Sequence, residues 1–145
     1  KLDNAACFIA QDDKDKILGF CWGYFIPAKK INSHKFLPSL PDFDIEKKIY
    51  DFFGNGFTHC AYQDEIAVLP EHQKKGIGTA LLKTRNEHFF SIHPNAITFF
   101  RTLKEPPSAS YNWLIKGLGY IELCSEKKQR PMVIAGMSIK KLREK

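Results

Sequence analysis

A strand-like run that ends at a proline, followed by a glycine-rich turn and a helical run, constrains this chain most; it spans residues 66–82. Gly76 and Gly78 sit at the start of that helix, where each glycine costs about 1 kcal/mol relative to alanine. The first four N–H groups of a helix lack intrahelical acceptors, and the helix dipole adds positive potential there. Glycine lets an anion approach without a Cβ in its way, and Lys74 and Lys75 add charge. The pattern predicts an anion-binding turn, with glycines that only ease a tight turn as the alternative.

Two common phosphate-binding motifs do not fit this stretch. A dinucleotide fingerprint needs GxGxxG, and position 81 holds leucine. A P-loop needs GxxxxGK followed by serine or threonine, which is also absent. The remaining pattern is Q-x-x-G-x-G, formed by Gln73, Gly76 and Gly78.

Composition and charge bound the remaining possibilities. The 145 residues fit a single domain over 1–145, with 43% hydrophobic residues. The net charge of +6 indicates an anionic partner. The basic residues are scattered, and the C-terminal "KKLREK" is expected to be a solvated end. We therefore expect no nucleic-acid and no membrane partner, with nucleic-acid binding as a hypothesis that rests on charge alone.

Cysteine and histidine spacing indicates neither a disulfide framework nor a metal site. Cys7, Cys21, Cys60 and Cys124 form no CxxC pair, and the five histidines form no HExxH motif. This favours reduced, mostly buried thiols in a cytoplasmic protein. The longest apolar run is too short to span a bilayer, and the N-terminus lacks a signal-peptide layout.

Hydrophobic periodicity and breaker residues predict the order ββ(α)βαβαββ, which indicates a mixed α/β or α+β sheet. Asp44 is expected to cap the first helix, which places Ile45, Ile49, Phe52 and Phe53 on one face. The inner stripe of the second helix is expected to hold Ile77, Ala80, Leu81 and Thr84. The predicted elements are a hairpin over 6–11 and 17–26, a helix over 44–53, a strand over 58–69, a helix over 76–90, a strand over 96–103, a helix over 110–117, and a hairpin over 120–124 and 132–139.

The stretch "DEIAVLPEHQKKGIGTALL" resembles the acyl-CoA-binding segment of the GNAT superfamily of N-acetyltransferases. Downstream, "AITFFRTL" and "GLGY" are similar to the next strand and helix end of that family, and the likeness covers Cys7 to Ile139. It implies a mixed, largely antiparallel twisted sheet flanked by helices. The family begins with a strand and two helices, for which there is no room before Cys7. Either these elements are missing, or the insertion over 28–57 does part of their work on the acceptor side.

The resemblance also implies the cosubstrate, acetyl-CoA or coenzyme A, and the residue spacing above predicts no metal. Its pyrophosphate would bind the N–H groups of the motif turn, and its pantetheine arm would run beside the preceding strand. An N–H group near Val68 would then polarise the thioester carbonyl. The residues implied are Ile66, Ala67, Val68, Gln73, Lys74, Lys75, Gly76, Ile77, Gly78 and Thr79.

Attack by an amine requires a base, because deprotonating an amine of pKa about 10.4 at pH 7 costs about 4.6 kcal/mol. Asp64 and Glu65 lie on the strand before the motif, and alternation turns one of them toward the cleft. We favour Glu65, with a solvated or ion-paired carboxylate as the alternative. The tyrosine that acts as general acid in many family members falls at Ile115 here, and Tyr111, one turn earlier, is the substitute.

These observations predict an N-acetyltransferase that moves an acetyl group from acetyl-CoA to a primary amine, on a small molecule or a protein, by direct attack in a ternary complex. The alternative is a non-catalytic CoA-binding or regulatory module of a longer protein. A homodimer is one of the oligomeric states that the sequence leaves open. Aromatic residues of the insertion could line an acceptor pocket, although such a stripe is more often core. These residues are Phe36, Phe43, Tyr50, Phe52, Phe53 and Phe57, joined by Tyr62.

Overall fold

The computed structural model describes residues 3–34 and 43–145, so Phe36 lies outside the described residues. Short 3-10 turns occur at Ala28–Lys30 and Pro70–His72. The strands are β1 (Asp3–Gln11), β2 (Ile17–Pro27), β3 (His59–Val68), β4 (Ile97–Leu103), β5 (Ile121–Ser125) and β6 (Met132–Ser138), and the helices are α1 (Ile45–Phe53), α2 (Ile77–Ile92), a π-helix (Tyr111–Gly117) and α3 (Ile139–Arg143).

The strands form one six-stranded sheet in the order β1-β2-β3-β4-β6-β5. Every neighbouring pair is antiparallel except β3 and β4, which run parallel. Helix α2 is the crossover between those two strands, as a parallel connection requires. This architecture confirms the predicted fold class, a mixed and largely antiparallel sheet flanked by helices.

The two parallel strands pair over only part of their length. Cys60–Tyr62 of β3 faces Ile97–Phe99 of β4, and the pairing ends there. Beyond that point β3 remains paired with β2 as far as Val68, and β4 remains paired with β6 as far as Leu103. The strands therefore separate and leave an opening in the middle of the sheet, which we call the split.

A bulge in β3 lies where the split begins. Trp22 pairs with Glu65 and Tyr24 with Tyr62, so Gln63 and Asp64 together oppose the single residue Gly23. A Cβ on Gly23 would lie 2.4 Å from the Tyr62 carbonyl oxygen, so only glycine fits. The extra residue breaks the alternation of side chains. Asp64 lies on the face of Tyr62, and Glu65 lies on the same face because it pairs with Trp22. A regular strand would turn only one of these two carboxylates to this face, whereas the bulge turns both.

Helix α1 covers one face of the sheet, and α2, the π-helix and α3 cover the other. The α1 face is packed by aliphatic and aromatic side chains that include Ile45 and Ile49 of the helix. The carboxylate of Asp44 accepts the Lys47 N–H and caps α1 as predicted. Helix α1 lies within the predicted insertion over 28–57. Phe52 is 51% exposed, so its predicted place on the inner stripe is wrong, while Phe57 and Tyr62 are core.

The inner stripe of α2 differs from the prediction. Leu81 is buried, but Ala80 and Thr84 are exposed. The helix buries Arg85 and Asn86 instead, because polar groups of the sheet give these side chains hydrogen-bond partners. The predicted solvated end over residues 140–145 is also wrong in part, since α3 buries Leu142.

Candidate active site

The turn between β3 and α2 presents backbone N–H groups to one side of the molecule. Lys74 and Gly76 adopt the left-handed region, with φ of 60° and 85°. Gly76 is the N-cap of α2 and provides no side-chain cap, and its carbonyl accepts the helical bond from Ala80. Within residues 3–34 and 43–145, none of the N–H groups of residues 74–79 donates to another protein group. Successive free N–H groups at a helix start form a concave site for an anion.

Gln73 fixes this turn to the end of β3. Its side-chain Nε2 donates to the Val68 carbonyl at 3.0 Å. The next residue, Leu69, donates its N–H to Leu18 of β2. Because backbone groups alternate sides along a strand, the N–H and carbonyl of Val68 point away from β2 and into the split. The pairing of Ile66 with Cys21 gives its backbone groups the same orientation.

A cleft of about 410 Å³ runs from the turn along the open edge of β3. It brings together most of the residues predicted to bind the cosubstrate. Lys75 and Ile77 are the exceptions, since neither lines the cleft. Three residues before and within the π-helix line it and were not predicted, because they lie 30 or more positions from the motif in the sequence. The lining residues are Ile66, Ala67, Val68, Gln73, Lys74, Gly76, Gly78, Thr79, Ala109, Ser110 and Trp113.

The two glycines of the motif are needed for different reasons. Gly76 has open space where a Cβ would stand, but its φ of +85° is strained for any other residue. Gly78 has helical geometry, and a Cβ there would lie 3.5 Å from the Trp113 indole. A larger side chain at position 78 would therefore collide with Trp113 or fill the cleft. One glycine shapes the turn and the other keeps the cleft open.

The π-helix that carries Trp113 is held against β4. Ser108 Oγ accepts the N–H of Tyr111 at 2.9 Å, and the same hydroxyl lies 2.6 Å from Thr102 Oγ1 of β4. The buried Leu114 and the partly buried Trp113 pack into the core beneath α2. π-Helical segments occur frequently at functional sites, and this one forms the wall of the cleft opposite β3.

A buried polar network holds the bulge in place. Arg85 is only 1% exposed, and its Nη1 donates to the carbonyls of Trp22 at 2.9 Å and Glu65 at 3.0 Å. Gln63, on the α2 face, donates to Asn86 and accepts from the Tyr120 hydroxyl, each at 2.9 Å. These contacts satisfy polar groups that the irregular strand would leave buried without partners. Sequence patterns gave no signal for this network, because its members come from separate elements.

The two carboxylates of the bulge have different environments. Asp64 is half-buried, and burial, followed by the nearby charge of Glu65, raises the pKa of its carboxyl group. The positive charges of Arg101 and Arg85 oppose that rise. Glu65, the base favoured from the sequence, is exposed.

One sequence family accounts for most of this chain. The sequence model of the acetyltransferase (GNAT) family matches residues 1–120. The chain belongs to the GNAT family. No curated protein matches it.

Solved structures of N-acetyltransferases share the fold. The arylalkylamine N-acetyltransferase 2 of Aedes aegypti matches with a TM-score of 0.66 and 12% identity, over 92% of this chain and 73% of that one. NAA60 of Arabidopsis thaliana, in complex with a bisubstrate analogue, matches at 0.65 and 13%, over 92% and 75%. The NatC complex bound to Gag peptide and CoA matches at 0.60 and 15%, over 91% and 70%. The chain spans 66 to 75% of the length of such structures.

Tyr111, the predicted substitute for the tyrosine of this GNAT family, does not line the cleft. Its hydroxyl donates to Glu122 Oε1 of β5 at 2.5 Å, and Lys104 Nζ donates to the other oxygen of that carboxylate at 2.9 Å. The bond to Glu122 raises the pKa of Tyr111, and burial raises it further. β5 is separated from β3 by two strands, so the structure brings this hydroxyl to the far side of the π-helix.

Among the described residues, no three or more His, Cys, Asp or Glu side chains are grouped so as to hold a metal ion. None of the helices in that part of the chain combines the length and apolarity needed to cross a membrane.

Proposed function

We propose that this domain transfers an acetyl group from acetyl-CoA to a primary amine by direct attack in a ternary complex. The observation that carries the proposal is the row of unpaired N–H groups over residues 74–79, which opens onto the cleft beside β3. A diphosphate is the group that such a row binds best, because its oxygens accept several hydrogen bonds and benefit from the helix dipole.

The residues along the cleft fit the rest of acetyl-CoA. The N–H groups of 74–79 and the ammonium group of Lys74 would hold the diphosphate, and Trp113 offers an apolar wall. The free backbone groups of Ile66 and Val68 would pair with the amides of the pantetheine arm, as an added strand pairs with a sheet edge. Acetyl-CoA, when bound, supplies an activated thioester.

Groups of the chain would stabilise the negative charge that develops on the thioester oxygen and accept the proton that the amine loses. The amine nitrogen forms a bond to the acetyl carbon, the carbon–sulfur bond breaks, and the amine proton passes to a base. The N–H groups of Ile66 and Val68 both point into the split, and that of Ile66, which lies nearer the bulge, would donate to the carbonyl oxygen as negative charge develops on it. A thiol of pKa about 8.5 leaves without much help from an acid, so the reaction does not depend on the Tyr111 hydroxyl.

A carboxylate of the bulge would accept the amine proton. Asp64 is the better placed of the two, because it is half-buried where the split begins and its raised pKa makes it a stronger base than an exposed aspartate. Glu65 lies on the same face and remains the sequence prediction. Glu65→Gln should leave the acidic limb of the pH–rate profile in place if Asp64 is the base, and Asp64→Asn should remove it.

The named neighbours support an amine as the acceptor and do not point to one class of amine. Their names describe acceptors that are arylalkylamines in one case and a peptide in another. An arylalkylamine and a peptide can both offer an amine nitrogen to a thioester. The proposal therefore covers small-molecule and protein amines.

Calorimetric titration with acetyl-CoA and CoA, followed by thiol release in the presence of an amine panel, tests the proposal. We expect binding of both compounds and turnover with at least one class of amine. Binding without turnover on any amine would favour the alternative, a CoA-binding or regulatory module. Absence of binding would contradict the site itself.

A further inference from the structure

The region where the split begins contains a second set of charged groups, and its interpretation rests on the proposed function. A ligand held by its phosphates at residues 74–79 and lying along β3 extends back toward the bulge, because β3 runs from the paired segment at Cys60–Tyr62 toward the turn. Its reactive end therefore reaches the start of the split. The groups that surround this point are those that an acceptor would meet.

Arg101 of β4 lies beside this point on the α1 face. It pairs with Ile134 of β6, and both Ile134 and Phe99, two residues earlier on β4, belong to the core of that face. Side chains two apart on a strand share a face, so Arg101 continues the row beyond Phe99. The side chain is half-buried. In the part of the chain that the structure describes, its guanidinium forms no ion pair and no hydrogen bond.

Asp64 occupies the matching position across the split. Tyr62 pairs with Phe99 where the strands still touch, and their rings are 5.0 Å apart. Asp64 lies two residues beyond Tyr62, as Arg101 lies two beyond Phe99. The positive charge of Arg101 opposes the rise in the pKa of Asp64, and both charges act on the pKa of Tyr62. Among the described residues, no ion pair joins Asp64 to Arg101. The Asp64 carboxylate and the Arg101 guanidinium therefore lie on opposite sides of the split, next to the rings of Tyr62 and Phe99.

A half-buried guanidinium without a partner is unfavourable unless a ligand supplies one. Among the described residues, no group of the protein pairs with Arg101. Because Arg101 lies beside the reacting end of the cleft, the acceptor is the molecule best placed to supply a negatively charged partner. We propose that the acceptor carries a carboxylate a few bonds from its amine, with Arg101 binding the carboxylate and the amine lying on the Asp64 side.

A carboxylate fits this gap better than a phosphate. A single guanidinium binds one carboxylate through two parallel hydrogen bonds. A phosphate dianion would bring a second negative charge close to Asp64 and Glu65, which lie on the same face. An amino carboxylate is neutral overall and matches the pair of opposite charges. The acceptor class is therefore an amino acid or a closely related amino carboxylate.

The test compares three matched acceptors: an amino acid, its carboxamide, and the amine that remains after decarboxylation. Phenylalanine, phenylalaninamide and 2-phenylethylamine form one such set, and leucine with its two analogues forms another. The proteins are the wild type, Arg101→Gln, Arg101→Lys, and Arg130→Gln as a control that removes an exposed arginine elsewhere. CoA affinity is measured for each by calorimetry, and folding by circular dichroism.

We expect the wild type to prefer the amino acid to its amide in kcat/KM. Arg101→Gln should lower kcat/KM for the acid roughly tenfold to a hundredfold, as loss of a charged hydrogen-bonded pair does. It should leave the amide and amine little changed. Arg101→Lys should retain part of the preference, and Arg130→Gln all of it.

Three results would overturn the inference while leaving acyl transfer in place: equal use of acid and amide by the wild type, a preference that survives in Arg101→Gln, or turnover of amines with no amino carboxylate consumed. If only acidic peptides are acetylated, a protein acceptor replaces the amino acid. Failure of CoA to bind the wild type would instead refute the proposed function, so the two failures are distinguishable.

Discussion

The anion-binding turn and the start of the split are the two ends of one cleft, and they are built in opposite ways. The turn is made from consecutive residues, 73–79, and its geometry follows from two left-handed positions and a helix start. The start of the split is assembled from β2, β3, α2 and β4, and it depends on a bulge and on the buried Arg85. The first region is fixed by local sequence, whereas the second is fixed by packing.

This difference predicts how each end responds to change. A substitution in the turn acts on backbone N–H groups that bind the cosubstrate, so it should alter CoA affinity and leave the sheet intact. A substitution at the start of the split acts on the sheet itself, so it should alter stability and turnover more than CoA affinity. Four experiments, beginning with the largest expected effect, test this separation.

The double variant Gly76→Val and Gly78→Val should reduce CoA affinity by about a hundredfold or more. Valine at position 76 opposes the left-handed φ, which costs about 1–2 kcal/mol, and valine at 78 pushes against Trp113. Isothermal titration calorimetry measures the loss. Gly56→Val is the matched control, because a Cβ there meets nothing within 4 Å and φ is not positive. Undiminished CoA affinity in the double variant would contradict the assignment of the turn.

Arg85→Met should destabilise the domain by about 2–4 kcal/mol, since it leaves the carbonyls of Trp22 and Glu65 without their donor. Turnover should fall with it, because those carbonyls fix the bulge that carries Asp64. CoA affinity should change little, since Arg85 does not line the cleft. Urea unfolding and calorimetry measure the two effects.

The control for Arg85→Met is Arg143→Met, which removes an exposed arginine paired with Glu87. Exposed ion pairs contribute about 0–1 kcal/mol, so its unfolding midpoint should stay close to that of the wild type. A loss of CoA affinity as large as the loss of turnover in Arg85→Met would show that the two ends of the cleft are not separable.

The same contrast explains what could be predicted from the sequence. The strands, α1 with its Asp44 cap, and the motif turn follow from periodicity and breaker residues over a few consecutive positions. The bulge at Gln63 and Asp64 does not, because residues 63–65 are all polar and carry no apolar alternation in which an extra residue would show. Burial of Arg85 was also missed, since an arginine on a helix is normally assigned to the solvent side.

The wall at Trp113 shows a further limit. Its contact with Gly78 joins positions that no local pattern links, and the π-helix that carries it reads as an ordinary helix in the sequence. Likeness to the family placed the general acid at Ile115, and Tyr111, one turn earlier, was the substitute. The structure directs the Tyr111 hydroxyl to Glu122. Neither the direction of a side chain nor the partner that holds it can be read from spacing alone.

The pH dependence of stability in Asp64→Asn tests the role of this carboxylate at the start of the split. Burial raises the pKa of Asp64 in the folded protein, so the folded state binds this proton more tightly than the unfolded state. Stability due to this group is therefore greatest below its unfolded pKa, and it decreases as the pH rises through the raised folded value. Asp64→Asn should raise the melting temperature at pH 7, and the gain should shrink as the pH is lowered toward 4.

Asp64→Asn should lower activity although it raises stability. If Asp64 accepts the amine proton, kcat of the wild type rises as the pH passes its raised pKa, and the variant loses this limb together with most of its activity. Glu65→Gln is the matched control on the same face. An acidic limb that persists in Asp64→Asn would exclude this carboxylate as the base, even if the stability effect is found.

The smallest expected effect separates shape from charge within the turn. Lys74 has a φ of 60°, which costs a residue with a Cβ about 1 kcal/mol. Lys74→Gly should therefore stabilise the domain by up to about 1 kcal/mol in urea unfolding, while loss of one ammonium group weakens CoA binding a fewfold. Lys75→Gly removes the same charge from a position without positive φ and outside the cleft lining. It should destabilise slightly, because glycine gains entropy in the unfolded chain. Equal stability changes in the two variants would mean that the left-handed position at Lys74 stores no strain, and that the shape of the turn does not depend on it.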